Sequence, residues 1–244
     1  SGLTVTQSAG ATFSGAVTAT TITLTDTIDA ANITFNGDVT ATTLSTTANA
    51  YDVLFNEDLT VTNDVTFGAI GTLNLGSASD DILLFNGGLD TTAVTGTVTL
   101  GGAIRTSGDQ MDIGAATLAA ATTLDTTNNG GTAAGAALNI TGAITGGNQD
   151  LTINAGTSGA ASLTTMTALD DLAVTAGGGI TLNGNITTAD ISGNSVTFSS
   201  AVSLGAGITI DTDNTTNDGT ISFSSTINGA QALALDAGTS TVTV

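Results

Sequence analysis

Two adjacent carboxylate pairs, Asp80-Asp81 and Asp170-Asp171, an acidic run at Asp211 and Asp213, and one cation, Arg105, are the groups in this chain with a claim to chemistry. Glycoside hydrolysis places two carboxyl groups about 5–9 Å apart across a bound sugar. Neighbours on a strand point to opposite faces, and in a turn both are solvated, so neither pair has that geometry. Sugar-binding aromatics are scarce as well: there is no Trp, and Tyr51 is the one Tyr. A cationic base for polysaccharide elimination would have to be Arg105, whose counterpart in an internal repeat is Thr187. Residues 211–218, DTDNTTND, begin like a calcium loop, with Asp211, Asp213 and Thr215 at alternate positions. That reading then meets Thr216 where such loops carry Gly and Ser222 where they carry Glu. The repeat counterpart of the run, DTTNNGGT (125–132), keeps only Asp125. No residue is therefore assigned to catalysis, to a cofactor or to a metal. The expectation is a non-enzyme whose net charge of −20 gathers calcium weakly and diffusely.

The same composition limits partners. Nucleic acid binding needs Lys and Arg to displace phosphate counterions, and anionic membranes select basic segments for the same reason. One cation against 21 acids serves neither. No apolar run approaches the roughly 20 residues that cross a bilayer. The absence of Cys excludes a disulfide framework. Charge of this size with few hydrophobes would predict disorder, but 40% of the residues are hydrophobic and they alternate. Thr, Ala, Gly, Asn, Ser and Asp fill the intervals, a strand-and-turn vocabulary.

The elements that must position these groups are short strands in a repeat. Residues 11–22, ATFSGAVTATTI, and 33–44, ITFNGDVTATTL, match at an offset of 22. Inside them lies a smaller unit: an apolar anchor, small turn residues, then an aliphatic residue. It recurs at 12–17, 34–39, 54–59, 84–89, 99–104, 139–144, 181–186, 197–202 and 222–227, with a shortened copy, TFGAI, at 66–70. Many short, evenly spaced strands mean a sandwich, a barrel or a solenoid, and self-similarity near 20 residues selects the solenoid. The fold expected is all-β: a single-stranded parallel β-helix over 1–244, about 20 residues per coil and 11–12 coils, a rod of roughly 50–60 Å at the strand spacing. Anchor spacings of 15, 16 and 30 residues do not fit one coil, so the unit is expected at more than one corner of a roughly triangular section. A longer repeat of 82–86 residues, about four coils, is clearest in 98–244, where VTLGGAIRT (98–106) matches ITLNGNITT (180–188).

All seven Phe residues lie in the unit and are expected in the core. Asn36, Asn56, Asn86 and Asn183 follow the anchor and are expected to form amide ladders. Thr-x-Thr pairs, the pattern of a flat ice-binding array, occur at Thr4/Thr6, Thr21/Thr23/Thr25, Thr60/Thr62, Thr95/Thr97/Thr99 and Thr241/Thr243 among others, but not on every coil. No capping segment precedes Leu3 or follows Val244. Bare end coils expose backbone groups, so the ends are expected to meet further repeats or neighbouring copies.

The segments LAVTAGGGITLNGNI (172–186), VTFSSAVSLGAGITI (196–210) and TISFSSTINGAQALALDAG (220–238) resemble the repeats of very long bacterial surface exoproteins, the filamentous-haemagglutinin-like and autotransporter-like β-solenoid proteins. The resemblance implies a secreted or cell-surface chain used in adhesion, biofilm structure or an envelope layer. The function expected is mechanical, a rigid stalk or filament segment. The alternatives are an end-to-end filament or sheath subunit and, from another class, a polysaccharide-active enzyme.

Overall fold

The computed structural model describes residues 1–26 and 28–244, and its regular elements are strands. They wind into a parallel β-solenoid of about 11 turns, one turn every 22 residues or so. Each turn contributes one strand to each of three faces. Face A starts at Ala11–Phe13, face B at the first half of Val17–Leu24, and face C at Gly2–Val5.

Columns run the length of faces A and B, with register shifts at Leu100/Gly102 and at Met166/Leu169. On face A the inward column runs Ala11, Ile33, Val53, Leu73, Val98, Ala116, Ile144, Met166, Ile186, Ile210, Leu235. On face B it runs from Val17 through Val39, Leu59, Leu83, Ile104, Leu124, Ile153, Val174 and Phe198 to Phe223. Alternation makes these columns: in Val39–Thr46 (VTATTLST), Val39, Ala41 and Leu44 are buried while Thr40 and Thr42 are exposed. The three columns form one continuous apolar core. A turn is longer than the 20 residues expected because several corners carry inserts, the largest at 126–137.

The strand–corner unit serves all three corners. Copies at 12–17, 34–39, 54–59 and 99–104 turn from face A to face B; those at 84–89, 197–202 and 222–227 turn from B to C; those at 66–70, 139–144 and 181–186 turn from C to A. Anchors 15, 16 and 30 residues apart are therefore two or four units apart, on different faces. The 82–86-residue repeat is resolved the same way. Val98 stands on face A, but its counterpart Ile180 stands on face C. The repeat spans eleven strands, one short of four turns.

Phe residues stack where they fall on one column. Phe13, Phe35 and Phe55 form a ladder with ring centroids 4.8 and 5.0 Å apart, and Phe198 lies 5.1 Å from Phe223. Phe67, from face C, instead meets Phe85 of face B edge-on at 6.4 Å. Phe13 is only half-buried because it lies in the first coil. The amide ladder forms at one corner: Asn56 Nδ2 donates to Asn36 Oδ1 and Asn74 Nδ2 to Asn56 Oδ1, each at 2.8 Å. Asn86 and Asn183 sit at other corners and pair with hydroxyls, Asn86 Oδ1 accepting from Ser107 and Asn183 Nδ2 donating to Ser162.

Truncating Phe35 to Ala opens the middle of a stacked column and is expected to cost about 3–5 kcal/mol. Phe13→Ala, at the half-buried end, is expected to cost less than half as much; urea midpoints of the two variants test the ratio. Corner glycines give a second comparison. A Cβ on Gly37 would lie 2.7 Å from the Gly15 carbonyl carbon, whereas a Cβ on Gly15 would meet nothing within 4 Å. Gly37→Ala is expected to destabilise by about 1–3 kcal/mol and Gly15→Ala by no more than about 0.5 kcal/mol, read from thermal melting.

Candidate functional site

The acids gather on one edge. Asp38, Glu57, Asp58, Asp80, Asp81, Asp150, Asp170, Asp171, Asp190, Asp213 and Asp218 lie at the corner between faces A and B, and Asp211 and Asp236 end the A strands leading into it. The segments that build face C and its two corners from residue 126 onward (126–143, 155–165, 176–185, 199–207 and 224–232) carry no charge. The rod thus has a charged edge and, over its C-terminal half, a neutral face opposite.

Most of these carboxylates are occupied by backbone. At the corner leading into face B, several carboxylates accept an amide of the following coil. Asp58 Oδ1 takes the N–H of Ile82 at 2.7 Å, Asp190 Oδ1 that of Asn217 at 2.8 Å, and Asp218 Oδ2 that of Thr239 at 2.7 Å. Charge-assisted bonds of this kind are the stronger ones. Asp81 is buried and caps its own turn through the amides of Ser77 and Ala78, while Asp80 beside it faces solvent. Asp171 accepts from Ser195 Oγ at 2.7 Å. Asp80 and Asp81 are thus divided between solvent and a turn cap.

The calcium-like run does not close into a site. Asp211 accepts the amide of Asp213, and Asp218 is held by Thr239. Among the described residues no three acidic side chains converge as metal ligands. Asp125, the acid kept in the repeat counterpart, is buried and accepts the amides of Thr127 and Asn129 and the Thr127 hydroxyl. Arg105 lies half-buried on the outer side of face B between Leu84 and Asp125, and its Nε has no hydrogen-bond partner.

Two features carry no sequence signature of their own. One is a set of buried threonines at the necks of corner loops. Thr126 Oγ1 donates to Ala136 O and accepts its amide; Thr212 Oγ1 donates to Gly219 O; Thr188 Oγ1 accepts from Asn194 Nδ2. Each closes a polar loop over an apolar core. The other is an open cavity of about 450 Å³ at the B-to-C corner beneath the 126–137 insert, lined by Thr127, Gly130, Ala133, Asn154, Gly156, Thr157, Thr175, Gly177 and Ser200. Its polar groups largely serve the fold: Thr157 donates to Ala133 O, Ser200 Oγ accepts from Ala176 N, and Asn154 Oδ1 accepts from Gly156 N. On face A, Thr99, Thr117, Thr145, Thr167 and Thr187 stand in one outward column. The flanking column alternates Thr97, Ala115, Ala143, Thr165 and Asn185, so paired threonines do not occupy successive coils.

Two carboxyls on the acidic edge titrate in opposite senses. Burial, then repulsion from Asp150 and Asp171, raises the pKa of Asp170. The Thr239 hydroxyl and amide hold Asp218 below the ordinary carboxylate range. Asp170 binds its proton more tightly in the folded chain, so its contribution is favourable in acid and is lost as pH rises through the raised value. Asp218 contributes above the ordinary carboxylate range and loses that contribution as pH falls through its lowered value. Asp170→Asn is therefore expected to raise the urea midpoint at neutral pH and Asp218→Asn to lower it, with both differences shrinking in acid. Comparison of the chain with protein-family models, with curated proteins and with solved structures finds no match.

Proposed function

We propose that this chain is a non-enzymatic structural rod, a rigid stalk or filament segment of an extracellular bacterial surface protein. The observation that supports this most directly is continuity: an apolar core and parallel ladders on faces A and B run from the first coil to the last, with a break in the face-C ladder between Val39–Thr46 and Val65–Thr66. Bending such a rod must stretch ladder bonds on one side and compress stacked side chains on the other, and interiors packed like organic crystals resist both. The acidic edge keeps rods apart in solution. The acids, the lone Arg105 and the cavity hydroxyls are largely occupied or isolated, which leaves shape as the property with a use.

A second reading is copies or flanking repeats stacked end to end, supported by the stacked columns of faces A and B, which a further coil would continue. A head-to-tail contact that does not close by rotation generates a filament. Electron microscopy of the chain alone separates the two. Isolated rods of roughly 50 Å, eleven coils at the strand spacing, are expected for a stalk segment; long unbranched fibres would establish the subunit reading. Cleavage of an acidic or neutral polysaccharide by the purified chain would overturn both.

A further inference from the structure

We propose that Asn129, in the loop over the B-to-C corner, is a self-modification site, where the chain deamidates through a succinimide and acquires a carboxylate next to Gly130, which lines the cavity at that corner. The chemistry needs only water. The Gly130 backbone nitrogen attacks Asn129 Cγ; that C–N bond forms, the Cγ–Nδ2 bond breaks, and ammonia leaves with the proton from the Gly130 N–H. Water then opens the imide on either side, giving an aspartyl or an isoaspartyl residue.

Sequence alone offers five equivalent sites, because Gly follows Asn at Asn36, Asn86, Asn129, Asn183 and Asn228. The structure separates them. Ring closure requires the side-chain amide to swing over the following nitrogen while that peptide rotates to meet it. At four sites the following glycine is pressed against the neighbouring coil. A Cβ placed there would lie 2.7 Å from Gly15 C for Gly37, 2.4 Å from Asp64 N for Gly87, 2.3 Å from Thr165 N for Gly184 and 2.9 Å from Leu204 O for Gly229. At Gly130 it would meet nothing within 4 Å. The side chains divide the same way. Asn36 is in the amide ladder, Asn86 bonds Ser107 and the Val61 carbonyl, Asn183 bonds Ser162, and Asn228 bonds Thr226.

Asn129 is exposed, and with Asn128 it forms a left-handed pair, at φ 55° and 51°, a conformation that Asn tolerates better than other side chains. Two bonds restrain the reacting peptides: Asn129 N–H to Asp125 Oδ2 at 2.6 Å, and Gly130 N–H to Thr127 Oγ1 at 2.9 Å. Both lie within the loop, whose neck is closed separately by Thr126 and Ala136. The loop can therefore open locally while the ladder below stays shut.

The test is to hold the folded chain at mildly alkaline pH and body temperature in heavy-oxygen water and to locate the incorporated label by fragmentation mass spectrometry. A parallel sample unfolded in urea gives the rate of each site without structure. Label is expected at residue 129 in the folded chain, with the other four sites slower by at least about tenfold, the ratio that about 1.4 kcal/mol of extra barrier produces. In urea all five should react at similar rates. Equal rates at the five sites in the folded chain, or a folded chain that stays unlabelled at 129 while the unfolded one reacts there, would overturn the proposal.

Discussion

One spacing governs this molecule: with one break, between Val39–Thr46 and Val65–Thr66 on face C, strands hydrogen-bond to their counterparts one coil away, about 4.8 Å along the axis. Whatever stands at a position has its neighbour's equivalent directly above and below. Side chains that profit from self-contact are therefore gathered into columns, and those that do not are expelled to the corners. Phe13, Phe35 and Phe55 stack because aromatic rings pack face to face at this distance. Asn36 and Asn56 link because an amide both donates and accepts. Glycine is held at Gly37, Gly142 and Gly184 because the adjacent backbone already fills the space of a Cβ.

Carboxylates profit least from that spacing, since like charges one coil apart repel. Such contacts occur at Asp211 beside Asp236 on face A and at Asp90 beside Asp112 on face C. Many of the other acids lie at the corner between faces A and B, where several turn toward an amide of the next coil. Their charge then does two jobs. It satisfies backbone that the ladder leaves open, and over the C-terminal half it collects repulsion on one edge, away from the neutral face C.

The architecture was legible in the sequence because the same rule acts locally. The offset of 22 between Phe13 and Phe35, and the alternation in Val39–Thr46, both follow from a stacked, half-buried strand. The corner assignments were not legible. TFNGDV and LFNGGL look alike but turn between different faces, because all three corners pose the same steric problem and accept the same solution. For that reason Asn86 and Asn183 read as members of one ladder with Asn36, and the structure parts them. The acidic pairs read from the sequence as solvated or pointing apart, and the structure instead buries Asp81 on the amides of Ser77 and Ala78 while Asp80 faces solvent. The edge-wise clustering of the acids was not legible, since it depends on which corner each segment reaches. The neck threonines were hidden for a similar reason: Thr126 and Thr212 differ from surface threonines only in facing inward at the end of a strand.

The mismatch between the long repeat and the turn has a consequence for how such a rod is lengthened. Eleven strands are one fewer than four full turns. A block of that size, inserted or deleted, advances the axis and also swings everything beyond it through a third of a revolution. Because the faces accept one another's sequences, the core survives the swing, while an outer mark such as the acidic edge is re-aimed. Length and azimuth are thereby coupled, as on a screw thread, and the choice of block sets the direction in which a distant feature points.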